Sequence, residues 1–188
     1  AADIIGSDPY PIKNNHSIKS METHLQKTAE AGLPFWIVPQ MFNFRRYFPA
    51  TAQAETFRFP SANEFRSMIL LAAGYEPRGY VFYTYTPLCK PDPKLDGNTE
   101  ENLKTIRHGI GMLRKLEPFL LSGKPVKKLP VKTIKGDIRA WEFSDGNGSR
   151  RVAVVALGPG TAEAEITVGA PEQLQSVYGK TVLKNGKW

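Results

Sequence analysis

The chain has 188 residues, 41% hydrophobic and 23% charged, with a formal net charge of +7, a composition that suits one sizeable core or one core plus a small appended domain. No apolar run approaches the ~20 residues needed to cross a bilayer, so no membrane role is expected. The basic residues are spread along the chain, and their densest stretch, Lys124 to Lys135, is interrupted by Pro125 and Pro130; with no recognised nucleic-acid module present, a solvated basic surface is expected rather than a nucleic-acid partner.

The first two-thirds alternate strand and helix patterns. Asp3-Ile4-Ile5-Gly6 is a short apolar run stopped by the turn chemistry of Ser7-Asp8-Pro9-Tyr10-Pro11. Ile18, Met21, Leu25 and Ala29 then recur at helical spacing, with Gly32 closing the helix. A second strand is predicted at Phe35 to Val38, followed by a connection from Met41 to Pro60 without clear periodicity. Loops of that length in compact domains are usually functional or disordered. Ser61-Ala62-Asn63-Glu64 is a capping box ahead of the apolar face Phe65, Met68, Ile69 and Ala72. Tyr80 to Tyr85 reads as a third strand rich in β-formers. A last helix is predicted from Thr99, with Glu100 and Glu101 at the positive end of its dipole and an apolar stripe of Leu103, Ile106, Ile110, Leu113, Leu116 and Leu120. Such strand–helix units in succession predict a parallel sheet with right-handed crossovers.

From Pro130 the pattern changes to short strands at Val131 to Ile134, Ile138 to Phe143, Arg151 to Leu157 and Glu163 to Val168. The turns Asp145-Gly146-Asn147-Gly148 and Gly158-Pro159-Gly160 separate them. The predicted architecture is α/β followed by all-β, with an α/β part over 1–123 and a small antiparallel β domain over 124–188. Both ends read as cut. Asn185-Gly186 is a strong hairpin signal with only Lys187 and Trp188 after it, and three βα units fall short of the roughly eight strands that close a barrel.

Three segments carry a resemblance. Asp3 to Pro11, Pro34 to Phe42 and Gly79 to Tyr85 resemble strands six, seven and eight of a (β/α)8 glycoside hydrolase of the clan A type. The helix region Arg58 to Met68, followed by Ala72-Ala73-Gly74, is similar to the segment joining the last two strands in such proteins, and the residues after Pro130 are similar to their C-terminal β-sandwich. The resemblance implies a partial (β/α)8 barrel, its last three βα units, whose partner would be the remainder of the parent chain with the N-terminal strands. It also implies carbohydrate binding at the C-terminal rim, hydrolysis of glycosidic bonds by the whole protein, and a secreted or periplasmic location. In retaining members a Glu ends the seventh strand as nucleophile. Gln40 stands there instead, and the region matching strand four, which bears the acid/base Glu, has no counterpart, so the catalytic pair transfers to no residue of this chain.

The residues themselves offer candidates. Asp8 is the acid predicted at a strand end, where it would act as a base, orient a partner or hold a sugar hydroxyl; the alternative is a turn-forming Asp bonded to its own backbone. Gln40 is an amide that donates and accepts, suited to a sugar hydroxyl or to neighbouring backbone groups. It shares a strand parity with Trp36 and Val38, which would aim it at the barrel axis. Tyr83 and Tyr85 share a parity too and would offer apolar ring faces to pyranose C–H groups, or pack in the core; Tyr10 is similar. Phe42, Asn43 and Arg45, with Phe44, Arg46 and Tyr47, read as a saccharide-binding lip, in which the arginines would favour an acidic sugar or simply be solvated.

Other chemistries find no pattern. His16, His24 and His108 lack a metal-ligand spacing with carboxylates or with Cys89, and no phosphate loop or nucleophile elbow is present, so neither cofactor nor metal is expected. Cys89 is the single cysteine, which excludes an internal disulfide and leaves the compartment open. Asn15-His16-Ser17 and Asn147-Gly148-Ser149 match glycosylation acceptors. The sequence reading is a segment of a glycosidase-like protein that binds carbohydrate but is inactive alone. The alternatives are a carbohydrate-binding pseudoenzyme and a self-sufficient α/β interaction module.

Overall fold

The computed structural model describes residues 2–13, 17–90 and 92–169. Three short parallel strands, β1 (Ile5–Ser7), β2 (Phe35–Ile37) and β3 (Gly79–Tyr80), lie side by side in chain order. Helix α1 (Lys19–Glu30) connects the first pair and α2 (Ala62–Ala73) the second. Parallel neighbours need such crossovers because a tight turn would return the chain antiparallel. Two single-turn helices, α3 (Thr86–Cys89) and α4 (Pro93–Asp96), lead into the long α5 (Thr99–Leu120).

The helix starts follow local chemistry. Ser61 Oγ accepts from the Glu64 amide at 3.3 Å while Glu64 Oε2 accepts from the Ser61 amide at 2.8 Å, completing the capping box of α2. Asn98 Oδ1 accepts from the amides of Glu100 (2.9 Å) and Glu101 (3.3 Å) to start α5. Gly32, just past α1, takes φ +68°, a conformation that disfavours a side chain.

Helices α1, α2 and α5 pack in succession, α1 on α2 and α2 on α5, and strand alternation gives the sheet two unlike faces. Phe35 and Ile37 are buried in the same core as α2, with Ile5, Tyr80 and Phe82 packed against it. The opposite face carries Ile4, Trp36 and Val81, exposed by 40%, 47% and 46%.

After α5 come β4 (Lys127–Lys128), β5 (Val131–Lys135), β6 (Ile138–Ser144), β7 (Arg150–Ala156) and β8 (Glu163–Ile166). They form an antiparallel sheet of order β4-β6-β7 and a two-stranded β5-β8 ribbon. Strand β6 is buried on both faces. Trp141 and Phe143 enter the helical core together with Ala153, Val155 and Leu157, while Ala140 packs with Leu129, Ile166 and Val168 under the ribbon.

The molecule is therefore mixed α/β with a following antiparallel sheet, and the described residues form no closed barrel. Several boundaries move from their sequence positions. The first strand begins at Ile5 rather than Asp3, and the second ends at Ile37 rather than Val38. The third, expected over Tyr80 to Tyr85, keeps two ladder residues and then one bridge, Gln40 to Tyr83. Pro39 carries no amide hydrogen to continue the ladder, and pairing resumes only where the Met41 amide donates to Tyr83 O at 2.6 Å. The Tyr83–Thr84 peptide is cis. Strand β4 and helices α3 and α4 occupy segments with no predicted element. The division at 123/124 separates the two sheets but not the core, because one apolar cluster runs from Phe65 and Ile69 to Trp141 and Val155. The Asn185-Gly186 hairpin, the last part of the 124–188 domain, and Asn15 and His16 lie outside the described residues; Asn147 sits in an exposed turn.

The junction of α2 with β6 is tight. A Cβ at Gly74 would fall 2.5 Å from Trp141 Cδ2 and 2.7 Å from its Nε1. Gly74→Ala is expected to cost about 1–3 kcal/mol by overpacking, despite the better helix propensity of alanine, measurable as a lowered urea midpoint at unchanged slope. An ion network beside it ties β6 to α1. Arg139 of β6 forks onto Glu22 of α1, with Nε to Oε1 at 2.6 Å and Nη2 to Oε2 at 2.8 Å. Asp137 bonds to Arg139 and to Lys19 Nζ, the latter at 2.9 Å, and Tyr75 donates to Glu22 at 3.3 Å. Burial, followed by the Glu22 charge, pushes the Tyr75 phenol up to about 12, so it remains a donor at neutral pH.

Candidate functional site

The C-terminal ends of the parallel strands come together at one rim. Asp8 follows β1 directly and is exposed. Pro9 and Pro11 then steer the chain across the strand ends, which sets the Tyr10 ring beside Tyr83, with centroids 6.0 Å apart and planes 28° from parallel. Tyr47, from the long connection after β2, also lies against Tyr83, with centroids 6.5 Å apart and planes 25° from parallel. Its hydroxyl lies 3.2 Å from that of Tyr83. The result is a bent row of phenols wrapped around Phe42, with Tyr83 at the bend and near-parallel to Tyr10 and to Tyr47; Tyr83 and Tyr47 are 41% and 43% exposed.

Phe42 lies edge-on to all three rings, at 5.0 Å from Tyr10, 5.6 Å from Tyr83 and 5.1 Å from Tyr47. Such edge-to-face pairs place positive ring edges against negative ring faces and hold the row in place. Phe44 supports Phe42 from behind at 5.0 Å and carries Lys13 Nζ 4.7 Å from its centroid.

The electrostatics keep the Tyr10 and Tyr47 phenols protonated. Burial pushes Tyr10 up to about 12, helped by the Asp8 charge and by the bond from its phenol to that carboxylate. Burial also raises Tyr47 to about 12, together with its bond to Tyr83. These groups offer neutral O–H donors, lone pairs and ring faces at neutral pH, not phenolate bases or nucleophiles. Asp8 is the rim's exposed carboxylate. An arrangement of neutral hydroxyls, ring faces and one carboxylate can bind a polyhydroxylated ligand, but supplies one of the two carboxyl groups that glycosidic hydrolysis usually needs.

The predicted residues divide. Asp8, Tyr10 and Tyr83 are brought together. Tyr85 is 71% exposed but leaves the strand to precede α3, so the expected parity with Tyr83 does not hold. Phe42, expected as an open platform, is 2% exposed and supports the row instead. Asn43 is buried: its Oδ1 accepts from the Arg45 amide at 2.9 Å and its Nδ2 donates to Leu95 O at 2.6 Å, which ties the lip to α4. Arg45 is forked onto Glu55, with Nη1 to Oε2 at 2.9 Å and Nη2 to Oε1 at 2.5 Å.

Gln40 requires the largest correction. It is 0% exposed and does not present its amide to a ligand. Its Oε1 accepts from the Ile12 amide at 2.9 Å, and its Nε2 donates to Ile12 O (2.8 Å) and Phe42 O (2.9 Å). The physical reason is the irregular crossing of residues 9–12 over the strand ends: a buried backbone that forms no ladder needs side-chain partners, and Gln40 supplies both polarities. Tyr47, read in sequence only as one member of the lip, is the residue of that stretch that joins the row. The density of rings between Phe42 and Phe48 was the available signal, but periodicity cannot say which ring of a loop turns outward.

A cleft of about 290 Å³ lies away from the rim, between α1 and the antiparallel sheet, with Glu22 and Arg139 in its lining. Its charged pair is closed upon itself, so it offers less chemistry than the rim. Among the described residues no group of three or more His, Cys, Asp or Glu could hold a metal ion, and no helix is long and apolar enough to cross a membrane. No family model, curated protein or solved structure matches the chain.

Proposed function

We propose that this chain is the carbohydrate-contacting part of a glycoside-hydrolase-like protein and holds a sugar on the Tyr10–Tyr83–Tyr47 row beside Asp8. The observation that carries the reading is the position of that row. Exposed phenols and a carboxylate gather at the C-terminal ends of parallel strands, where barrel and open α/β sheets place their ligands. The in-order strands and the bare apolar face of Ile4, Trp36 and Val81 support the further reading of the sheet as the last three βα units of a (β/α)8 barrel, the open face being the barrel interior. Turnover then depends on a second carboxyl from the preceding units, and Asp8 contributes a base, an orienting group or a hydroxyl contact.

The buried Gln40 favours one alternative, a binder that does not hydrolyse. An amide locked to backbone at the strand end where a retaining enzyme carries its nucleophile supplies no nucleophile, so hydrolysis would need an inverting or substrate-assisted mechanism while binding alone needs neither. Titration of a glycan panel followed by tyrosine-ring NMR signals tests the sugar reading. Tyr83→Ala should weaken binding about tenfold, the equivalent of the ~1.4 kcal/mol at the upper end of an aromatic contact. A panel in which no glycan shifts the Tyr10, Tyr47 or Tyr83 resonances sinks it.

A further inference from the structure

Resting on the sugar-binding reading, we infer that the rim selects uncharged saccharides and discriminates against uronic and sulfated ones. The lip sequence Phe44-Arg45-Arg46-Tyr47 places two guanidinium groups next to the aromatic row, the arrangement expected of a site for acidic sugars. Both are already neutralised. Arg45 makes its two-pronged contact with Glu55, and an incoming carboxylate would have to displace an equivalent one. Exchange of one carboxylate for another at a surface position yields little net free energy.

Arg46 is held more firmly. It pairs with Asp96, whose side chain is 0% exposed, and donates to Lys90 O at 3.3 Å. Asp96 Oδ2 also accepts from the Asp92 amide at 2.9 Å. Turning Arg46 toward a ligand would leave a buried carboxylate without its cation, a penalty that no single ligand contact offsets. Arg46 Nε is itself buried without a partner among the described residues and is not presented to a ligand.

The remaining charges close the argument. Asp8 stands at the rim as an exposed carboxylate two residues before Tyr10 and repels an anionic ring. Lys13 is the countercharge, but its ammonium is engaged over the Phe44 ring, 4.7 Å from the centroid, rather than with the row. The row thus presents neutral hydroxyls and ring faces beside arginines that are already paired, which matches a ligand bound by C–H stacking and hydroxyl hydrogen bonds.

The test titrates the 188-residue chain with neutral gluco-, galacto- and manno-oligosaccharides and with oligouronates of equal length, at low and high salt, and repeats it with Glu55→Gln. Glu55 is exposed, its side chain 77% accessible, so the variant retains the core. The expected result is neutral-sugar affinity that does not change with salt, at least about tenfold weaker uronate binding, and a several-fold, salt-sensitive gain in uronate affinity in Glu55→Gln as Arg45 is released. Tighter uronate than neutral binding by the unaltered chain overturns the charge argument while leaving the sugar site standing. Uronate affinity unmoved by Glu55→Gln overturns it too. Binding of neither class overturns both readings.

Discussion

Replacing Trp141 by alanine is expected to destabilise the protein by about 3–5 kcal/mol, the range for truncating a large buried aromatic. Trp141 is 2% exposed on β6 and meets the C-terminal end of α2 at Gly74 and the Tyr75 ring at 6.0 Å. The indole fills the joint between the helices and the antiparallel sheet, so its removal opens a cavity that neither layer can close without moving the other. Chemical denaturation followed by both far-UV signal and tyrosine fluorescence checks this. Because the apolar cluster is continuous across the joint, the parent chain should unfold in one transition by both probes, and the variant at a lower midpoint. Two separated transitions in the unaltered chain would show that residues 1–123 and 124–188 fold as independent units.

Gln40→Glu is expected to cost at least about 3 kcal/mol near neutral pH, since it replaces two buried donated bonds by a charge facing two carbonyl oxygens. The substitution looks like the restoration of a strand-end nucleophile, but the geometry makes it a lesion. A carboxylate retains the bond from the Ile12 amide but opposes Ile12 O and Phe42 O, which now accept from Nε2 at 2.8 Å and 2.9 Å. Protonation returns one donor. The folded-state pKa of the introduced carboxyl is therefore raised above its unfolded value, so the folded state binds the proton more tightly. Relative stability of the variant should be highest below the unfolded carboxyl pKa and fall as pH rises toward the folded one. Denaturation midpoints across that range measure it, and a penalty constant with pH would show that the carboxyl reaches solvent.

The two substitutions mark where sequence reasoning succeeds and where it stops. Helix starts at Ser61 and Asn98 are decided by hydrogen bonds spanning two or three residues, so the capping box and the predicted start at Thr99 agree with the structure. The short strands of the β part follow from local alternation between turns, and β5 to β8 lie within a few residues of their predicted places. The third parallel strand is shorter than its composition implies, because pairing depends on a neighbour that is interrupted at Pro39. The lip illustrates a different failure. Arg45 and Arg46 look free in sequence, and their partners Glu55 and Asp96 lie 10 and 50 residues away.

By itself the sequence determined the succession of elements, the α/β to all-β change near Pro130, and the concentration of rings and polar groups after the parallel strands. These are properties of local propensity, periodicity and capping, whose physical range is a few residues. The tertiary structure alone decided which polar groups remain available to a ligand. Gln40, Asn43, Arg45 and Arg46 were all equipped for recognition, yet burial and long-range hydrogen bonding commit each of them to the protein, since a buried backbone or charge must be satisfied wherever the fold places it. Asp8, Tyr10, Tyr83 and, from the lip, Tyr47 are what that competition left exposed or half-buried at the rim.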